Sequence, residues 1–243
     1  MKNPNIVEFK VTGKYALFTD PLTRIGGEKY SYQIPTYEAL KGILGSVYWK
    51  PTIVWFIDRV RVLKPIRSQT RSAKPMKYGG GNNDLSIYTY LADVEYQVQA
   101  HFEWNPHRED MAKDRNENKH FFVAKRMIER GGRRDIFLGT RECQGYVEPC
   151  VFGEGQGFYD AYPGEISFGL MFHGFDYPDE LGTDILQARF WRPTMAEGVV
   201  SFVRPDDESA IVRRVIRNMK ASLPESIGLE EEGLLDSYLE GAE

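Results

Sequence analysis

Apolar and polar residues alternate over Ile6–Val11, with Val7, Phe9 and Val11 on one side, the period of a half-covered strand. The alternation stops at Asp20–Tyr30, where Pro21 and the Gly26-Gly27 pair predict a loop. After Pro35-Thr36 the period changes. Leu40, Ile43, Leu44, Val47 and Tyr48 fall on one face of a helix for which Thr36 is a suitable N-cap, and Lys50-Pro51 ends it. Thr52–Arg67 predicts a long strand, apolar at first and basic later, and Ser86–Trp104 predicts a second one rich in Tyr and Val. The Gly79–Asn83 turn between them makes the pair a hairpin. Pro106–Arg130 carries His120, Val123, Ala124, Met127 and Ile128 near one helical face, with Gly131-Gly132 as the stop. Arg134–Val147 predicts a strand interrupted at Gly139 and Gly145.

This order, β-α-β-β-α-β up to residue 150, is that of an α+β, ferredoxin-like domain. Beyond it the pattern shortens. Residues 151–220 are rich in Gly and aromatics, with brief alternating runs such as Glu165–Phe172 and strand-like sequence over Ala188–Val203. They predict a small antiparallel β-domain closed by a helix over Asp206–Met219, with Ile211, Val215 and Met219 inward. Residues 221–243 form an acidic tail expected to lie outside the fold.

The formal net charge of −4 hides a division. The tail holds seven acids and no Lys or Arg, so residues 1–220 carry 31 cations against 28 acids. Within that body Arg59, Arg61, Lys64, Arg67, Arg71, Lys74 and Lys77 stand against Asp58 alone, the footprint of a polyanion partner. Lys125, Arg126, Arg133 and Arg134 add a second basic stretch. The start of the chain lacks the apolar stretch of a signal peptide, and Ile53–Ile57 is too short to span a bilayer. Cys143 and Cys150 have neither metal nor redox spacing and suit buried small hydrophobes. A cytoplasmic protein with no membrane partner is expected.

Chemistry concentrates at Asn116–His120. A Lys-His pair on a helix is most often a solvated face. Here it opens a basic segment, and an imidazole beside an ammonium suits proton transfer and charge stabilisation at a phosphate. His101, His107 and His173 have no carboxylates at ligand spacing, so neither metal nor other cofactor is expected. The alternating glycines of Gly153–Gly157 complete no phosphate-binding motif. In a ferredoxin-like fold both helices pack on one face of the sheet, which would bring Tyr48, ending the first helix, near His120.

Three strings carry a family resemblance: Pro35–Leu44, Val47–Pro51, and Phe137–Cys143 continued by Gly145–Pro149. They resemble the CRISPR-associated Cas5 family, subtype I-C (Dvulg), over residues 5–220. The resemblance implies an RNA-binding ferredoxin-like domain followed by a small β-domain. It also implies an endoribonuclease that cuts CRISPR repeat RNA and then holds the guide RNA 5′ end beside the backbone and large subunits of an interference complex, with target DNA as a further candidate partner. Tyr48, Lys119 and His120 match the family's proposed catalytic positions.

On this reading the RNA backbone follows a basic groove of Arg59, Arg61, Lys64, Arg67, Arg71, Lys125, Arg126, Arg133 and Arg134. His120 takes the 2′-hydroxyl proton, Tyr48 orients or donates, and Lys119 stabilises the developing charge, leaving a 2′,3′-cyclic phosphate without any metal; Tyr48 is the other candidate for the base. Two other readings compete: a guide-RNA holder that never cuts, and a small-molecule regulatory domain, which leaves the basic segments unexplained.

Overall fold

The computed structural model describes residues 5–20, 23, 28–74, 85–178 and 183–220. The strands are β1 (Ile6–Ala16), β2 (Lys29–Tyr30), β3 (Ile53–Val62), β4 (Ser68–Ala73), β5 (Ser86–Trp104), β6 (Ile136–Phe137), β7 (Gln144–Pro149), β8 (Glu165–Ser167), β9 (Met171–Asp176), β10 (Ile185–Trp191), β11 (Thr194–Ala196), β12 (Val199–Ser201) and β13 (Val212–Asn218). Helix α1 spans Tyr37–Val47 and α2 spans Glu117–Glu129, preceded by a 3-10 turn over Glu109–Asp114. The Gly79–Asn83 turn, much of the Asp20–Tyr30 loop and the acidic tail lie outside the described residues.

The chain builds a mixed α/β fold on a mostly antiparallel sheet. Ten strands form one sheet whose central path runs β6-β7-β1-β5-β3-β12-β11-β8, and β9, β10 and β13 form a second of three. The long β5 is the spine: β4 pairs antiparallel with Ser86–Leu91, β1 with Leu91–His101 and β3 with Tyr96–Trp104. Residues 165–201 contribute to both sheets, since β8, β11 and β12 extend the large one through β3.

Thr36 caps α1 by accepting from the Ala39 amide at 3.2 Å, and Asn116 caps α2 by accepting from the Lys119 amide at 3.0 Å. The buried face of α1 is Tyr37, Leu40, Ile43, Leu44 and Val47; that of α2 is His120, Ala124 and Ile128, spaced four apart. Both pack against the side of the sheet carrying Val7, Phe9, Val11, Val98, Ala100 and Phe102. Gly131 and Gly132, at φ +86° and +108°, end α2. The amides of Arg133 and Arg134 then donate to the Ser46 carbonyl at 3.2 and 3.1 Å, tying the turn after α2 to the end of α1. Gly139, at φ +91°, lies so close to the Leu17 carbonyl that a Cβ there would overlap its oxygen.

One sequence expectation fails outright. The helix predicted over Asp206–Met219 is instead strand β13, paired antiparallel with β10. Val215 points outward, 63% exposed, beside exposed Val212 and Ile216. These β-branched residues suit a pleated edge better than a helix interior, and the four-residue spacing of Ile211, Val215 and Met219 is not a core stripe. Among the described residues no helix is long and apolar enough to cross a membrane.

Candidate functional site

The end of α1 and the start of α2 meet in one buried cluster. Tyr48, the C-cap of α1, is 4% exposed and His120 is fully buried. The Tyr48 hydroxyl and His120 Nδ1 are 2.8 Å apart. His120 Nε2 lies 2.9 Å from the Asp114 main-chain carbonyl, which can only accept. The proton of the neutral ring therefore sits on Nε2, and Tyr48 donates its hydroxyl proton to Nδ1. Phe102 and Trp104 pack edge-on against the imidazole, with centroids 6.0 and 5.6 Å away. Trp55 Nε1 donates to the Tyr48 carbonyl at 2.8 Å, fixing the residue that ends the helix.

Asp114 organises the polar side of the cluster. Its carboxylate accepts from Lys119 Nζ and, at 2.9 Å, from the Thr52 hydroxyl, with Oδ2 3.5 Å from His120 Nε2. The Lys119 ammonium, then the Thr52 hydroxyl, hold this carboxyl below the usual carboxylate range, so it is ionised. Burial, then the negative charge of Asp114, push the Tyr48 phenol above its ordinary value; Arg133 opposes them. Tyr48 thus keeps its proton at neutral pH. The Lys119 side chain is half-exposed and borders solvent.

The His120 imidazole has no exposed surface, and both of its nitrogens are engaged in this conformation. Asp114 and Thr52 were invisible to sequence reasoning. Asp114 precedes the helix by a few residues and joins the cluster only because the 3-10 turn folds it back over the α2 N-terminus. Among the described residues no three His, Cys, Asp or Glu side chains gather as a metal-ligand set.

The basic residues fall into three situations. Arg61 is 5% exposed, and its guanidinium donates to Asp160, Gln97 and the Glu154 and Gly155 carbonyls at 2.7–3.3 Å. It anchors the 153–160 loop to the sheet and is not available to a phosphate. Lys64 pairs with Asp93 and Glu95; Arg59 bonds Gln99 and stacks on Phe152; Arg71 stacks on Tyr15. Arg67, Lys125, Arg126, Arg133 and Arg134 are exposed. Along β5, Gln97 and Gln99 hold Arg61 and Arg59, whereas Phe102 and Trp104 face His120. Odd and even positions of a strand point to opposite faces. Arg59 and Arg61 therefore lie on the side of the sheet away from α2, whereas Arg71, stacked on Tyr15, does not share that side. Cys143 is buried and Cys150 half-buried, each with its thiol pushed up by burial.

A family model for CRISPR-associated protein Cas5, of the Cas5d type, matches residues 6–203. The chain is 30% identical over 149 residues to a CRISPR pre-crRNA endoribonuclease Cas5d of Mannheimia succiniciproducens, covering 52% of this chain and 64% of that protein. It is 29% identical over 153 residues to the protein of the same name from Thermus thermophilus, covering 59% and 63%. The chain thus spans under two thirds of the length of these curated relatives. Among solved structures, a CRISPR-associated protein matches with a TM-score of 0.69 and 34% identity, over 85% of this chain and 96% of that one. A functionally uncharacterized protein from Streptococcus mutans matches with 0.67 and 35%, over the same shares.

Proposed function

This chain belongs to the CRISPR-associated Cas5 protein family, and on that premise we propose that it is a metal-independent endoribonuclease that cuts CRISPR repeat hairpins in precursor RNA. The observation that carries the proposal is the 2.8 Å bond from the Tyr48 phenol to His120, with Lys119 beside it. Tyr48, itself only 4% exposed, is the member of the pair that a scissile phosphate would meet first. Tyr48 accepts the 2′-hydroxyl proton while passing its own to His120 Nδ1. The resulting imidazolium is stabilised by the Asp114 carbonyl and carboxylate. The 2′-oxygen attacks phosphorus, the bond to the 5′-oxygen breaks and that oxygen takes a proton from solvent water, while Lys119 stabilises the charge on the phosphoryl oxygens. A 2′,3′-cyclic phosphate and a 5′-hydroxyl result. Arg67, Arg71, Lys125, Arg126, Arg133 and Arg134 neutralise backbone phosphates, Arg71 with its stacked guanidinium's free edge; Arg59 and Lys64 would do so only by sharing or giving up their present partners.

The finer readings belong to the same proposal. The path β7-β1-β5-β3, with α1 and α2 on one face, fits a ferredoxin-like RNA-binding unit over residues 1–150, followed by a small β-domain over 151–220. In the cytoplasm the cut guide RNA would stay bound by its 5′ end, with this chain as a subunit of a type I-C interference complex. One observation favours a second reading, the non-catalytic guide holder: His120 has no exposed surface.

One experiment separates the two. Repeat hairpin RNA incubated with the protein in excess EDTA is cut under the first reading. The same RNA with a 2′-deoxy at the scissile nucleotide survives, and the upstream product ends in a cyclic phosphate. Intact RNA in EDTA, or strict dependence on Mg²⁺, would overturn the mechanism.

A further inference from the structure

Behind the aromatic wall of the Tyr48–His120 cluster lies a cavity of about 400 Å³. Tyr37 of α1, Trp55 and Phe56 of β3, Trp104 at the end of β5, Arg189 of β10 and Arg204 line it. Two of its buried donors, the Tyr37 hydroxyl and Arg189 Nη2, meet no acceptor within hydrogen-bond reach. Tyr37 is 1% and Arg189 3% exposed, and Glu38 Oε2 stands 3.7 Å from Nη2, beyond hydrogen-bond reach. Burial drives the Tyr37 phenol upward against the weaker pull of the Ile57 amide and Arg189, so its hydrogen stays in place and undonated. Buried donors without acceptors are rare in folded proteins. Two on the lining of one cavity ask for an occupant that brings acceptors.

The surrounding charges decide its class. Lys41, Arg189, Arg204 and Arg213 are matched by Glu103, Asp176, Asp206 and Glu208. Arg189 and Arg213 both bond Asp176, and Arg204 bonds Glu103 and Asp206. A phosphate would find no net positive field here. A neutral planar ring carrying carbonyl acceptors fits better, among indole, phenyl and phenol faces.

We propose that this cavity takes one unstacked nucleobase of the RNA next to the scissile phosphate, its exocyclic carbonyl accepting from Tyr37 Oη or Arg189 Nη2. The proposal rests on the RNA-cleaving reading and adds a specificity pocket to it. Splayed bases held against aromatic side chains are the usual mode of single-stranded RNA recognition. The wall between pocket and cluster is one side chain thick. Trp104 packs 5.6 Å from His120, and Trp55 bonds the Tyr48 carbonyl. A base on one side and a phosphate on the other therefore belong to neighbouring nucleotides. Guanine, uracil and cytosine carry the required carbonyl; adenine does not.

The test uses the full chain, parental and Tyr37→Phe, with repeat hairpins made abasic at each unpaired position in turn. A parallel series carries 5-iodouridine at those positions for photo-crosslinking. At one position beside the cleavage site the abasic change should weaken binding about threefold to tenfold, the size of one or two lost hydrogen bonds. Tyr37→Phe should weaken the intact RNA similarly and add little to the abasic one, the coupling expected of partners. Iodouridine at that position should crosslink to Phe56 or Trp104 in the parental protein. If the parental protein cuts RNA, yet the two losses add independently at every position and neither aromatic is crosslinked, the pocket is overturned. If the parental protein cuts no repeat RNA at all, the underlying reading falls, and the pocket with it.

Discussion

Helix α1 carries a tyrosine at each end, and each faces a fully buried histidine, yet the two pairs are chemically opposite. At the far end Tyr37 stacks on His173 with ring centroids 4.3 Å apart, while Tyr48 at the near end donates a hydrogen bond to His120. In both, Nε2 meets a main-chain carbonyl, that of Val203 for His173 and Asp114 for His120. Both have an aspartate and a cation close by. The difference is the group on Nδ1. His173 accepts from the Arg189 guanidinium at 3.3 Å, a donor that never gives up its proton. Burial first, then that cation, hold His173 down to about 3. His120 accepts from a phenol, which can give its proton and take another. The same residue types build a permanent strut at one end of a helix and, in the proposed mechanism, a proton path at the other.

The largest effects should come from cutting the proton path. His120→Ala and Tyr48→Phe should each lower single-turnover cleavage by roughly 10²-fold or more, with RNA affinity little changed. Quench-flow rates beside filter-binding constants check this. Parental rates in both variants would make the two histidines equivalent struts.

The strut should show itself in stability instead. Between about 6.5 and about 3 the unfolded chain binds a proton at residue 173 that the folded chain refuses. Stability therefore falls as pH falls through that window, by up to about 1.4 kcal/mol per pH unit from this group. Urea titrations of the parental protein minus those of His173→Gln isolate the slope, while cleavage per folded molecule stays at the parental rate. An unchanged slope would mean that His173 titrates freely.

Lys119→Ala removes a half-exposed cation and should slow cleavage by roughly tenfold, less than a buried oxyanion donor would cost. Lys119→Arg should recover part of it, and a cleavage assay at fixed salt decides.

The smallest effects concern the arginines. Arg133→Ala with Arg134→Ala should reduce the log–log salt slope of RNA binding by about one unit per lost phosphate contact. Arg61→Ala should leave that slope alone and lower the melting temperature, because its guanidinium is committed to the 153–160 loop. Salt titrations by fluorescence anisotropy separate them.

These contrasts also mark what the sequence could carry. Thr36 and the stripe from Leu40 to Val47 announced α1, and Ser86–Trp104 was legible as one strand. Those signals are local, set by periodicity and capping. The Tyr48–His120 meeting followed from helix packing on one sheet face. Arg61 misled because a charge count cannot see a buried ladder of carbonyls, and Asp114 was silent because its role depends on a 3-10 turn. The Asp206–Met219 stripe misled because an edge strand leaves apolar side chains outside, so no core disciplines their spacing. The partners of β8, β11 and β12 are long-range choices that three-residue runs do not encode.

The clasp between the two helices has a consequence for how freely this centre can drift. The Ser46 carbonyl is held by the amides of residues 133 and 134, not by their side chains. Any residue with a main-chain N–H can therefore occupy either place and still hold the end of α1 against the turn after α2. Proline alone among the common residues lacks that hydrogen. The framework that brings Tyr48 to His120 asks nothing of the two guanidinium groups, so positions 133 and 134 can change without moving those atoms, the only loss at the pair being the pull of Arg133 on the Tyr48 phenol.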